Sequence, residues 1–155
     1  MPRILILAYG NPLRSDDGVA WRIANQLRLT LPDVEIQSFH QLGPELAEAV
    51  THFERVLFLD AASPREGVKP GQIRIEPVLP DATAGDASRF SHVVTPNTVV
   101  TLAATLYGVD VQAQLVTITG ENFEHGESLS SPVTAALPAL VAEIERIVRG
   151  HLENS

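Results

Sequence analysis

"RILILAYGNPLRSDDGVAWRIANQL", residues 3–27, carries the pattern that sets the fold class. An apolar run stops at Gly10–Asn11, a Pro–Leu turn follows, and two adjacent carboxylates, Asp16 and Asp17, precede an amphipathic segment. Within that segment Val19, Ile23 and Leu27 recur at four-residue spacing, which gives a helix one apolar stripe. A continuously apolar strand, buried on both faces, that hands over to such a helix points to an α/β domain.

The alternation continues along the chain. Runs rich in Leu and β-branched residues fall at 3–9, 34–38, 55–60, 72–77 and 112–119 and read as strands. "GPELAEAVTHF" (43–53) reads as a short helix. "TPNTVVTLAATLYG" (95–108) opens with Thr95 as N-cap and Pro96 in the first turn, and closes on Gly108. "SPVTAALPALVAEIERIVRG" (131–150) gathers Val133, Leu137, Leu140, Val141, Ile144 and Val148 on a core face. Pro138 within it predicts a kink or two helices end to end, and the terminal "HLENS" (151–155) predicts a frayed tail. The expected fold is α/β: one domain over 1–150, with a twisted, mostly parallel sheet of about five strands between helices in a three-layer α/β/α arrangement. "PDATAGDASRFS" (80–91) has too little apolar surface to pack and reads as a functional or mobile loop.

A length of 155 residues suits a single domain with a full core. No apolar run approaches the ~20 residues needed to cross a bilayer. The opening "MPRILILAYG" lacks the small-residue cleavage site of a signal peptide and reads as a first strand. The chain has no cysteine, which excludes disulfides, thiolate zinc sites and cysteine nucleophiles, and fits the reducing cytoplasm. A formal charge of −8 without a basic cluster argues against nucleic acid or an anionic membrane as partner. Phosphate-loop, G-x-G-x-x-G, H-E-x-x-H and G-x-S-x-G patterns are all missing. Chemistry is left to carboxylates, a histidine and a metal.

In open α/β sheets, ligands bind outside the carboxyl ends of the strands. The first strand delivers Asn11, Asp16 and Asp17 there; the third, "RVLFLD", ends on Asp60; the long polar loop runs to His92, just before a helix. Asp16 reads as a helix N-cap. Asp17 reads either as a first-turn acid suited to the helix dipole or as a functional group. Asp60, straight after "VLFL", needs a partner to offset its desolvation. His92 reads as a loop residue or as a ligand. Two acids and an imidazole would suit a divalent transition metal and leave coordination positions open. His40 either borders the same cleft or packs locally, and His52 reads as surface. His125 stands among Glu121, Glu124 and Glu127 in a solvated or metal-binding loop, and His151 belongs to the tail.

"YGNPLRSDDGVAWRI" resembles the N-terminal signature of the hydrogenase maturation proteases, which trim the C-terminal extension from nickel-iron hydrogenase large subunits. "HQLGPELAE", "RVLFLDAA", "SHVVTPNTVVTLAATLYG" and "GENFEHGESLSSPVTAALPALVAEIERIV" resemble successive blocks of that family, in order and at its spacing. The resemblance implies a sheet sandwiched between helices, a monomer, and a nickel-recognition site at Asp17, Asp60 and His92. It also implies that nickel arrives with the substrate, a hydrogenase large-subunit precursor, and that Gly10 and Asn11 match the turn that shapes the site; our own reading of Asn11 is that its side chain orients a ligand by hydrogen bonding. Ala8 stands where many members carry a glycine, and its methyl is expected to crowd the backbone beside the site; Ala20 likewise replaces a common glycine. Two readings compete with the protease: a non-catalytic nickel-binding or docking protein using the same residues, and a small-ligand module whose acids only cap and pack.

Overall fold

The computed structural model describes residues 3–81 and 93–153. Five strands form one sheet: β1 (Ile4–Tyr9), β2 (Glu35–Phe39), β3 (Arg55–Ala62), β4 (Ile73–Val78) and β5 (Ala113–Thr119). Their spatial order is β2-β1-β3-β5-β4. The first four in that order run parallel, and β4 is an antiparallel edge strand on β5. The helices are α1 (Val19–Thr30), α2 (Leu46–Ala49), α3 (Pro96–Tyr107) and α4 (Ser131–Glu153), with short 3-10 turns at Ser15–Gly18 and Val50–His52.

Alternation along the strands divides the core in two. Ile4, Ile6 and Ala8 of β1, with Leu57, Leu59 and Ala61 of β3, pack under α1 and α4. Leu5 and Leu7, with Val56 and Phe58, face α2 and α3. Each Val, Leu, Ile or Phe among them, taken fully out of water, contributes about 1.5–3 kcal/mol. This is the expected three-layer α/β/α fold, and strand ends agree with the sequence reading to within one or two residues. Among the described residues no helix is long and apolar enough to cross a membrane.

α3 starts where the sequence places it. The Thr95 hydroxyl accepts the Thr98 N–H, the Thr98 hydroxyl accepts the Thr95 N–H, and Gly108 closes the helix at φ 67°. α4 runs as one helix across Pro138, so of the two expected alternatives the one with two helices end to end does not hold. Pro138 and Thr134, whose carbonyl loses its helical partner, are both exposed, so water can serve that carbonyl while Leu140, Val141 and Ile144 stay packed. The tail is ordered further than expected as well. Residues 151–153 continue α4, and Leu152 packs against the core. Ala8 does not crowd the site. Its methyl is buried in the core under α1 and α4, while its neighbour Tyr9 packs on the opposite side of the sheet.

Candidate functional site

From β1 the chain passes to β2 on one side and then to β3 on the other, so the strand order reverses between β1 and β3. Crevices at such switch points are where α/β sheets bind ligands. The segment after β1 carries Asp17 into this crevice, and Asp60 lies near the end of β3.

Gly10 ends β1 at φ 143°, a conformation side chains rarely adopt. A Cβ there would meet the Asp17 carbonyl oxygen at 2.1 Å. Glycine therefore lets the acid-bearing turn fold back onto the strand end. The Gly10 N–H donates to the Phe39 carbonyl at 3.0 Å. The Trp21 indole N–H spans both elements, donating to the carbonyls of Gly10 (2.9 Å) and Phe39 (3.1 Å). His40 meets the Trp21 ring edge-on, with ring centroids 5.5 Å apart.

Asp17 accepts the Asn11 backbone N–H at 2.8 Å, and the Arg14 guanidinium lies 4.0 Å away. Asn11 thus steadies the acid through its main chain; its side chain is turned to the Leu13 N–H at 2.9 Å. Asp60 accepts the Ala61 N–H at 2.8 Å, and the Tyr9 hydroxyl lies close enough to act on it as a second donor. Burial pushes the Asp60 carboxyl up to about 7 against the pull of those two donors, and the negative charge of Asp17 adds to the rise. Burial and the charge of Asp60 together hold the Tyr9 hydroxyl protonated. The structure therefore brings Asp17 and Asp60 within electrostatic reach of each other. His92 lies outside the described residues, as does most of the 80–91 loop.

Asp16 is not the helix cap that its position suggested. Gly18 stands at the N-cap of α1, with no side-chain capping bond. The Asp16 side chain is fully buried and turned away from α1. Its Oδ2 accepts the N–H groups of Glu121 (2.7 Å) and Asn122 (3.0 Å) and the Ser130 hydroxyl (2.7 Å), and its Oδ1 accepts the Ser130 N–H (2.7 Å). Burial opposes ionisation, yet these hydrogen bonds prevail and hold the carboxyl below its ordinary range. Ser15 beside it adopts φ 51°, unusual for a non-glycine. It is tied by its N–H to the Gly126 carbonyl (2.7 Å) and by its hydroxyl to the Glu124 carbonyl (2.8 Å).

The remaining histidines lie apart from the acid pair. His52 is exposed and bonded to Glu48 at 2.7 Å. His125, Glu121, Glu124 and Glu127 are all exposed, as in a solvated loop. Among the described residues no three His, Asp or Glu side chains gather closely enough to hold one metal ion. The sequence reading overlooked Tyr9, whose hydroxyl at a strand end should have prompted a search for its partner.

No protein-family model matches the chain, and no curated protein matches it in sequence. Solved structures do. The hydrogenase maturating endopeptidase HybD of E. coli superposes with a TM-score of 0.72 at 22% identity, covering 96% of this chain and 93% of that one. The maturation protease HycI of Thermococcus kodakarensis gives 0.72 at 20%, with the same coverage. The hydrogenase 2 maturation peptidase of a Thaumarchaeota archaeon gives 0.69 at 21%, covering 94% and 97%. The fold is that of the hydrogenase maturation endopeptidases. The likeness runs over nearly the whole of each chain.

Proposed function

We propose that this chain is an endopeptidase that removes the C-terminal extension of a nickel-iron hydrogenase large-subunit precursor after nickel insertion, acting as a monomer. The observation that carries the reading is the meeting of Asp17 and Asp60 at the β1/β3 switch point, in a fold shared with maturation endopeptidases. Nickel belongs to the substrate in this reading. Asp17 and Asp60 offer it hard oxygen donors, and His92, by the resemblance, adds an imidazole. A cation between two mutually repelling carboxylates relieves their repulsion, so the donor set fits a divalent ion.

Hydrolysis then needs a base and an acid. A water oxygen bonds to the scissile carbonyl carbon while one of its protons passes to the Asp60 carboxylate. The C–N bond breaks, and that proton goes to the leaving amine. Without a cation beside it Asp60 titrates at about 7; a neighbouring cation lowers that value and favours the carboxylate form that accepts the proton. Tyr9, held protonated, stays available as a hydrogen-bond donor to Asp60. The substrate's nickel supplies Lewis-acid polarisation of the carbonyl.

The test is the intact mass of the large-subunit precursor incubated with this protein, with and without nickel loading. Loss of a C-terminal peptide from the loaded precursor alone is the expected result. An unchanged mass, with the precursor loaded and bound, would establish a docking protein instead.

A further inference from the structure

Beside the acid pair the same face of the sheet carries a second feature. Asp60 on β3 is in register with Thr117 on β5, and Thr117 with Arg74 on β4. Registered neighbours share a face, so these three side chains form one row running from the crevice to the sheet edge. The next row pairs Ala62 with Thr119. The apolar packing of this layer includes Phe58 and Leu115, one step below the row, and Val78, two steps below it. Above it a groove of about 320 Å³ opens, with Ala62, Thr117 and Thr119 in its lining and Arg65, Arg74 and Glu76 as its charged groups. Small residues along the rows leave room for a chain.

The groove's charge is opposite in sign to that of the molecule. The whole chain carries −8, whereas the groove holds two arginines and one glutamate. Arg74 lies 3.9 Å from Glu76, both of them about half exposed, a pairing of little strength. Arg65 is exposed and has no ion pair among the described residues. A guanidinium fork matches a carboxylate in geometry as well as in charge.

We propose that this groove is a substrate subsite that binds an extended polypeptide segment through a carboxylate, held by Arg65 and Arg74. The inference rests on the endopeptidase reading and deepens it by naming the chemistry of the segment beside the scissile bond. Two inter-strand steps of ~4.8 Å separate Asp60 from Arg74, about the reach of three extended residues. The carboxylate therefore lies two to four residues from the bond that is cut.

The full-length chain, labelled with ¹⁵N, is titrated with the peptide Ac-Ala-Val-Asp-Ala-Val-NH₂ and with its Asn counterpart. The Asp peptide is expected to shift the amides of Gln72, Arg74, Thr117 and Thr119. It should bind about tenfold more tightly than the Asn peptide, the worth of one charge-assisted contact. Combining Arg65→Gln with Arg74→Gln should erase that preference and raise KM for the precursor by a similar factor. Equal binding of the two peptides, shifts elsewhere, or displacement by inorganic phosphate at the peptide's own concentration would overturn the subsite. If the precursor stays uncut while the Asp peptide still selects the groove, the activity falls and the subsite stands. If the precursor is cut with KM unchanged in the double variant, the subsite falls and the activity stands.

Discussion

At the end of β3, burial raises the proton affinity of Asp60, and Asp17 adds to it. Its consequence for stability has a definite sign. In the unfolded chain an aspartate titrates at ~3.9. The folded chain therefore holds the Asp60 proton up to about pH 7, where the unfolded chain has already lost it. Stability from this group is present below pH ~4 and is lost as pH rises through about 7. Asp60→Asn removes that dependence. In metal-free buffer at pH 8 its Tm should exceed that of the parent by several degrees and at most by roughly 16 °C, the upper bound set by about 4 kcal/mol at this size, and the two should converge near pH 4. The same variant should lose at least about 100-fold in precursor processing, as removal of a general base does. Asp17 and Asp60 could be picked out as candidates in the sequence because both follow apolar strands at the carboxyl edge of the sheet, although Asp17 read equally well as a first-turn acid. Asp16 was misread because a helix cap and a staple to a distant loop look alike locally; its partners lie 105 to 114 residues away.

The elements were legible nearly to their ends, because their periodicities, caps and breakers are local. Proline was the exception. Pro138 removes one hydrogen bond on the solvent side of α4, and the packed side of the helix carries on without it. Pro138→Ala should restore the bond to Thr134. Stability should rise by about 1–2 kcal/mol, less than the full helix-interior penalty because the freed carbonyl is already hydrated. Urea unfolding would show this as a higher midpoint with an unchanged slope. Pro77 on β4 follows the same logic at the sheet edge, where a missing N–H need not interrupt the ladder.

The order of the strands was not legible, since no local signal says that β3 returns to the far side of β1 or that β4 runs antiparallel outside β5. That order makes the switch point, and through it the meeting of Asp17 with Asp60. The charged groove escaped notice for the same reason: its floor joins Ala62 of β3 to Thr117 and Thr119 of β5, far apart in the chain, and only there do Arg65 and Arg74 line a common space. A long-range dependence also follows from Asp16. Asp16→Ala would leave the partly buried donors of Glu121, Asn122 and Ser130 without their acceptor, a cost of about 1–3 kcal/mol. Hydrogen exchange should quicken at those three amides well before it does in β1 or β3.

The staple between Asp16 and Ser130 also bears on when the protein becomes competent during its synthesis. The turn that carries Asp17 is made early, but the groups that fix it belong to residues 121–130. N-terminal segments emerge from the ribosome first, and contacts of high sequence separation form late. A nascent chain can therefore complete β1, α1 and β3 and still lack the clamp on its acid-bearing turn. The acid pair gains its final geometry only when the last quarter of the polypeptide is free to fold back, which keeps unfinished chains from presenting the finished site.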